Sequence, residues 1–224
     1  MANAVLPGVS PSNGKTRRLK KILLGSVAVL IAALVTGFAV WPRSPLNLGE
    51  SDHLLSAGVY QHWKAGDLIV LVRHAERCDR SSNPCLGPAD GITRHGNEVA
   101  TQLGKAFQTI GMENADVVSS PTTRTQQTST AMFAHAGSAQ DWAAKCDKTL
   151  GDAALKHKAR QRNLVLITHS GCISDVESAL GFEHAQFSEY TSSLFVTVGN
   201  DGQLKILGLL NAEDWPQALK KTLN

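Results

Sequence analysis

Three short apolar runs in this chain each end in residues suited to an oxyanion. Leu68-Ile69-Val70-Leu71-Val72 leads into Arg73-His74, and Asp116-Val117-Val118-Ser119 leads into Ser120-Pro121-Thr122-Thr123-Arg124. The third, Leu164-Val165-Leu166-Ile167-Thr168, leads into His169-Ser170-Gly171. A neutral imidazole is a competent nucleophile near physiological pH. A guanidinium stays charged and meets phosphate oxygens with a fork of N–H donors. Two of each point to phosphoryl transfer, with His74 attacking phosphorus while Arg73, Arg124 and His169 clamp the oxygens. Water would then resolve the phosphohistidine. Backbone N–H groups at the start of a helix opened by Ser170 would add to the cradle. Arg77, on the same loop as His74, is a candidate substrate contact, with an exposed ion pair as its alternative. Glu76 is a candidate for orienting the neighbouring arginines.

These groups meet only if the runs are strands of one sheet. Each run is too short for an independent helix, so each reads as a buried strand. Parallel strands bring their carboxyl ends to one edge, where ligands of open α/β sheets bind. Between them, Thr93 caps a helix through Ile110 whose stripe is Val99, Ala100, Leu103, Phe107 and Ile110. Pro121 suits the first turn of a helix running to about His135. Residues 153–162 and 170–180 also read as helices, the latter ending at Gly181. Ser51–Lys64 reads as one amphipathic helix, and residues 137–148 carry no legible pattern. Leu194–Val198 and Leu204–Leu210 form a hairpin through Gly199-Asn200-Asp201-Gly202, and 214–221 a closing helix. The order of elements predicts one α/β domain.

The formal charge of +3 belongs to the N-terminus. Residues 1–21 hold five of the 22 Lys and Arg (Lys15, Arg17, Arg18, Lys20, Lys21) and none of the 19 Asp and Glu, so the remainder nets −2. No basic face for nucleic acid is expected from that balance. Residues 1–16, rich in Pro, Gly, Ser and Asn, read as a disordered start to a basic tail that ends at Lys21. Ile22–Val40 is uncharged, and at ~1.5 Å per residue it can cross a ~30 Å hydrocarbon core. The flanking Lys and Arg place the N-terminus in the cytoplasm, with Trp41 at the interface. Residues 22–41 are thus expected to be a signal-anchor, the rival being a cleaved signal peptide. Residues 42–50 read as a linker and 51–224 as the exported catalytic domain, periplasmic on an inner-membrane tether.

LVRHAER resembles the arginine-histidine signature of the histidine phosphatase superfamily, the phosphoglycerate-mutase-like fold. Ile92-Thr93-x-x-Gly96 is similar to its helix-start motif, SSPTTRTQQT to its second-arginine segment and THSG to its second-histidine segment. The resemblance implies a three-layer sandwich, a mostly parallel sheet with helices on both faces. It also implies that His74 is the phospho-acceptor and that neither metal nor other cofactor is needed. The family's Arg-His-Gly tripeptide occurs literally at Arg94-His95-Gly96, but no apolar strand precedes it, so that pair is a decoy. Where many members place a glutamate proton donor, this chain reads DWAAKC, leaving Asp141 and Asp147 as the candidates. The loop RHAERCDRSSNPC, with Cys146 and Cys172, is similar to the periplasmic lipopolysaccharide core heptose(II)-phosphate phosphatase branch. That likeness implies a phosphorylated core sugar as substrate, with a phosphoprotein or another small phosphate ester as alternatives.

Four cysteines in an exported domain point to two disulfides, for which sequence allows three pairings. Cys78 with Cys85 would staple the loop beside His74, and Cys146 with Cys172 would tie the illegible segment to the helix after His169. His74-x3-Cys78 and His169-x2-Cys172 have ligand-like spacing, but neither is a usual paired zinc element. Cysteine-based phosphatase chemistry lacks its Arg six residues on, and no Gly-x4-Gly-Lys loop occurs. The rivals to a phosphatase are a non-catalytic sugar-phosphate-binding sensor on a membrane tether and a mutase, the latter disfavoured by export.

Overall fold

The computed structural model describes residues 14–39, 44–199 and 201–223. Residues 1–13, Trp41 and Asn200, assigned above to a disordered tail, an interfacial ring and a turn, lie outside them. The chain divides into two compact units, residues 1–42 and 43–224. In the first, helix α1 (Gly14–Ala39) contains Arg18–Phe38, 21 residues long and apolar enough to cross a membrane.

The second unit opens with two short helices, α2 (His53–Ser56) and α3 (Val59–Ala65), followed by strand β1 (Leu68–Arg73). Next come α4 (Arg94–Ile110), β2 (Ala115–Ser119), α5 (Thr123–Phe133), the two-residue β3 (Ser138–Ala139) and α6 (Leu150–His157). Strand β4 (Asn163–Thr168), α7 (Ser170–Ala179), β5 (Ser193–Val198), β6 (Leu204–Leu210) and α8 (Trp215–Leu223) complete it. The strands form one sheet in the order β3-β2-β4-β1-β5-β6. The first four are parallel, and the β5–β6 hairpin is antiparallel to them at β1.

The period of two along β1 explains the layers. Val70 and Val72 join Leu103, Phe107, Phe133 and Trp215 in one core, from α4, α5 and α8. Ile69 and Leu71 join Leu150, Ala154, Ile173 and Val176 in the other, from α6 and α7. Helices cover both faces, so the architecture is the expected three-layer α/β sandwich. On the first face α4 and α5 touch through Gly104, where an added Cβ would lie 2.0 Å from the Met132 carbonyl oxygen.

Local corrections have local causes. The single helix expected over Ser51–Lys64 is two, because Gly58 adopts φ +70° between them. Pro121 stands ahead of α5 rather than in its first turn, because Ser120 N–H still bonds the Ile167 carbonyl and the strand runs on. The helix expected over 153–162 starts earlier, at Leu150, where Asp147 accepts from the Thr149 amide. Residues 137–148 hold only β3 and a 3-10 turn over Asp141–Ala144, too short for a period. Residues 44–50 are not a free linker. Leu48 is 1% exposed, its N–H bonds Leu209 O at 2.8 Å, and Leu209 N–H bonds Leu46 O at 2.8 Å.

Asn163 fixes where the central strands begin. Its Oδ1 accepts from Leu68 N–H at 3.0 Å, its Nδ2 donates to Trp63 O at 2.8 Å, and its own N–H bonds Asn114 O at 2.7 Å. Asn163→Ala would leave a buried donor and acceptor without partners and is expected to cost about 2–4 kcal/mol. Urea unfolding followed by circular dichroism reads that loss; a change under half a kcal/mol, roughly, would contradict the assigned role.

Candidate active site

Register delivers the side chains. Arg73 pairs with Thr168 across β1–β4, and Ser119 with Ile167 across β2–β4, so three strands end level. The ladder continues one bond further, His74 N–H to Thr168 O at 2.9 Å. The rings of His74 and His169 consequently lie 5.4 Å apart, centroid to centroid, at 65°. The sequence separation of 95 positions between them is erased by two parallel strands.

Hydrogen bonds fix each ring's tautomer. His74 Nδ1 sits 2.8 Å from Ala75 O, and a carbonyl only accepts, so Nδ1 carries the proton. Its Nε2 then holds a free lone pair. Arg124 Nη2 donates to His169 Nδ1 at 3.3 Å, so the proton of the neutral ring is on Nε2, which donates to Ser120 Oγ at 2.9 Å. Burial pushes the His74 imidazole down to about 3, opposed by the Ala75 carbonyl and reinforced by His169, Arg124 and Arg73. Burial, then Arg124 and Arg77, bring His169 down to about 4.

The guanidiniums are held from behind. Arg73 Nη1 donates to Ser188 O at 2.5 Å, and its Cζ lies 3.9 Å from the centroid of the Tyr190 ring, a cation–π contact. Tyr190 also lies 5.7 Å from the His74 ring. The Nε–H groups of Arg73 and Arg124 are buried without a protein acceptor. Two unspent cationic donors beside two neutral rings suit an oxyanion.

The remaining candidates sit as follows. Ser170 is the first residue of α7, directly after His169, which is the N-cap. Arg77 forms a two-pronged ion pair with Asp79 at 2.8 and 2.5 Å, although its charge is felt at His169 and Arg124. Glu76 does not orient the arginines. It accepts from Thr93 Oγ1, Ser81 Oγ and Asn83 Nδ2 at 2.6–2.9 Å and so anchors the following loop. Asp147 is exposed and takes two hydrogen bonds from Thr149, which hold its carboxyl below the usual range and make it a poor acid. Asp141 is exposed at the start of its 3-10 turn. Among the described residues, no hydrogen bond or ion pair joins either carboxylate to the histidine–arginine cluster. Arg94 and His95 are exposed in the first turn of α4, and no strand leads into them.

The cysteines pair as Cys78–Cys85 and Cys146–Cys172, with Cα separations of 5.2 and 4.0 Å. Both spacings that could have joined a histidine and a cysteine on one metal therefore fall, since Cys78 and Cys172 are bonded elsewhere. Sequence reading missed Ser120 as the partner of His169 and Tyr190 as the platform under Arg73. Ser120 lay inside the second motif, but Tyr190 follows no apolar strand and carried no signal.

A 169-residue match at 36% identity, spanning 71% of this chain and 77% of the relative, is to "Lipopolysaccharide core heptose(II)-phosphate phosphatase" of Salmonella typhi. The protein of that name from Salmonella typhimurium matches at 36% over the same coverage. The model of the histidine phosphatase superfamily (branch 1) matches residues 69–139. The chain belongs to the histidine phosphatase superfamily. It is a phosphatase-class hydrolase. The protein histidine phosphatase SixA, solved with tungstate, shares the fold at a TM-score of 0.53 and 15% identity, over 66% of this chain and 98% of its own.

Two depressed imidazoles make the histidine phosphatase fold's stability depend on pH. The unfolded chain takes up protons near 6.5 that the folded chain refuses until about 4 and about 3. The two histidines' contribution is full above 6.5 and is lost as pH falls towards 4, by up to about 1.4 kcal/mol per pH unit for each imidazole. The buried carboxyl of Glu177, which burial raises to about 7, contributes in the opposite direction. Urea midpoints between pH 7 and 4.5 are expected to fall less steeply in the His74→Gln/His169→Gln double variant. Parallel slopes would show that the rings do not contribute.

Proposed function

We propose that this chain hydrolyses phosphate monoesters through a phosphohistidine at His74. The single observation that carries the reading is the unprotonated Nε2 of a neutral His74 beside His169, Arg73 and Arg124. Nε2 attacks phosphorus, a P–N bond forms, and the P–O bond to the leaving group breaks, the leaving oxygen taking from solvent a proton that the attacking water of the second step returns. Water then attacks phosphorus, the P–N bond breaks, and inorganic phosphate departs. Arg73 and Arg124 neutralise the equatorial oxygens, and His169, with its Nε2–H on Ser120 Oγ, positions the Arg124 guanidinium through Nδ1. The amides of the first turn of α7, beginning at Ser170, complete the cradle.

The substrate class we propose is a phosphorylated sugar of the lipopolysaccharide core, on the strength of the relatives' name. We propose further that the catalytic unit is exported on an N-terminal membrane tether. Arg18–Phe38 has the length and apolarity to span, and two disulfides suit an oxidising compartment.

The test is hydrolysis of p-nitrophenyl phosphate, whose leaving group needs no proton, by the full chain in detergent. His74→Ala is expected to lose roughly a thousandfold or more in kcat, and Arg124→Lys roughly ten- to a hundredfold, because a lysine cannot reproduce the fork. Acid-labile, base-stable label from a radioactive substrate should map to His74. Turnover that survives His74→Ala contradicts the mechanism, and tight phosphate binding without turnover points to a sensor instead.

A further inference from the structure

Outside the histidine–arginine cluster, helix α7 carries a buried group that phosphoryl transfer does not use. Glu177 is fully buried, 0% exposed, and both of its carboxylate oxygens lack a protein partner. It lines a cavity of about 210 Å³ together with Asn47, Ser188, Glu189 and Asn211. Ser188 is 3% exposed, and its Oγ and the Asn211 Oδ1 are likewise buried without partners. Among the described residues, no Lys, Arg or His lines the cavity. These unmet atoms are all oxygens of residues that line one cavity, and among the described residues no hydrogen bond or ion pair meets the carboxylate.

We infer that Glu177, Ser188 and Asn211 supply the protein ligands of a hard divalent cation site, taken first by Ca2+. Carboxylate, hydroxyl and amide oxygens are the donor set of Ca2+ and Mg2+, and Ca2+ tolerates the irregular geometry of a loop better. Several waters at ~30 Å³ each fit the cavity and complete the coordination. Left to itself, burial pushes the Glu177 carboxyl up to about 7. One carboxylate among neutral oxygens is a low ligand charge, which puts the affinity in the weak range of extracellular calcium modules, about 0.1–1 mM. Ser188 links the site to the catalytic cluster, because its carbonyl accepts from Arg73 Nη1 at 2.5 Å. Occupancy would fix the segment from Ser188 to Tyr190, both of which support Arg73. The cation takes no part in bond making.

Thermal unfolding of the full chain in detergent, with CaCl2 against NaCl of equal ionic strength, tests this without reference to turnover. At about 10 mM CaCl2 the transition is expected to rise by roughly 3–8 °C. Glu177→Gln, equal in shape, should abolish the rise, and Ser188→Ala should shrink it. No rise in the parent chain, an equal rise in Glu177→Gln, or an equal rise with NaCl would overturn the proposal. Equilibrium dialysis with radiolabelled calcium on the parent chain gives a second reading that no variant's folding can confound. One bound equivalent at millimolar calcium is expected, and none would refute the site.

Discussion

Two imidazoles have to stay uncharged within reach of two guanidiniums, and the rest of the architecture answers to that requirement. Proximity to positive charge helps, but burial is the larger influence on both rings. A ring buried at the end of a central strand is desolvated by neighbours on both sides of the sheet. That is why β1 and β4 sit in the middle of the order and why His74 is only 4% exposed. The same burial would be costly without partners for the ring nitrogens, and the Ala75 carbonyl and Ser120 hydroxyl provide them. The Ala75 carbonyl also selects the tautomer of His74, and the Arg124 donor that of His169, so one set of hydrogen bonds stabilises the fold and prepares the chemistry.

Strand register is the mechanical counterpart of this electrostatic demand. A slip of one residue between β1 and β4 would send every side chain to the opposite face. Asn163 opposes slippage at the entrance of the sheet, and the two distinct cores oppose it along the strands. The disulfides act beyond the strand ends. Cys78–Cys85 closes the loop that follows His74, and Cys146–Cys172 secures the start of α7 next to His169.

The site was legible where chemistry coincided with periodicity. Arg73, His74, Arg124 and His169 each lie at or just beyond the end of an apolar run, so the strands pointed to them directly. The parallel core strands, Thr93 as N-cap and the hairpin followed from the same local rules. What stayed hidden depends on tertiary contacts. Tyr190 reaches Arg73 from a loop with no pattern, and Glu76 turned out to serve the loop rather than the arginines. Leu48 looked like linker because an isolated leucine among polar residues shows no period; only the edge of β6 gives it a place. In the segment after DWAAK, Asp147 takes its described hydrogen bonds from Thr149 and none from the histidine–arginine cluster.

The charge state of the two rings can be read directly from nitrogen-15 NMR of histidine-labelled protein titrated between pH 8 and 4. The expected spectrum keeps His74 neutral, protonated at Nδ1 and bare at Nε2, across that whole range, with His169 neutral until the acid end. A His74 titration midpoint near the ordinary 6.5, or a proton found on its Nε2 at neutral pH, would contradict the structure's central claim.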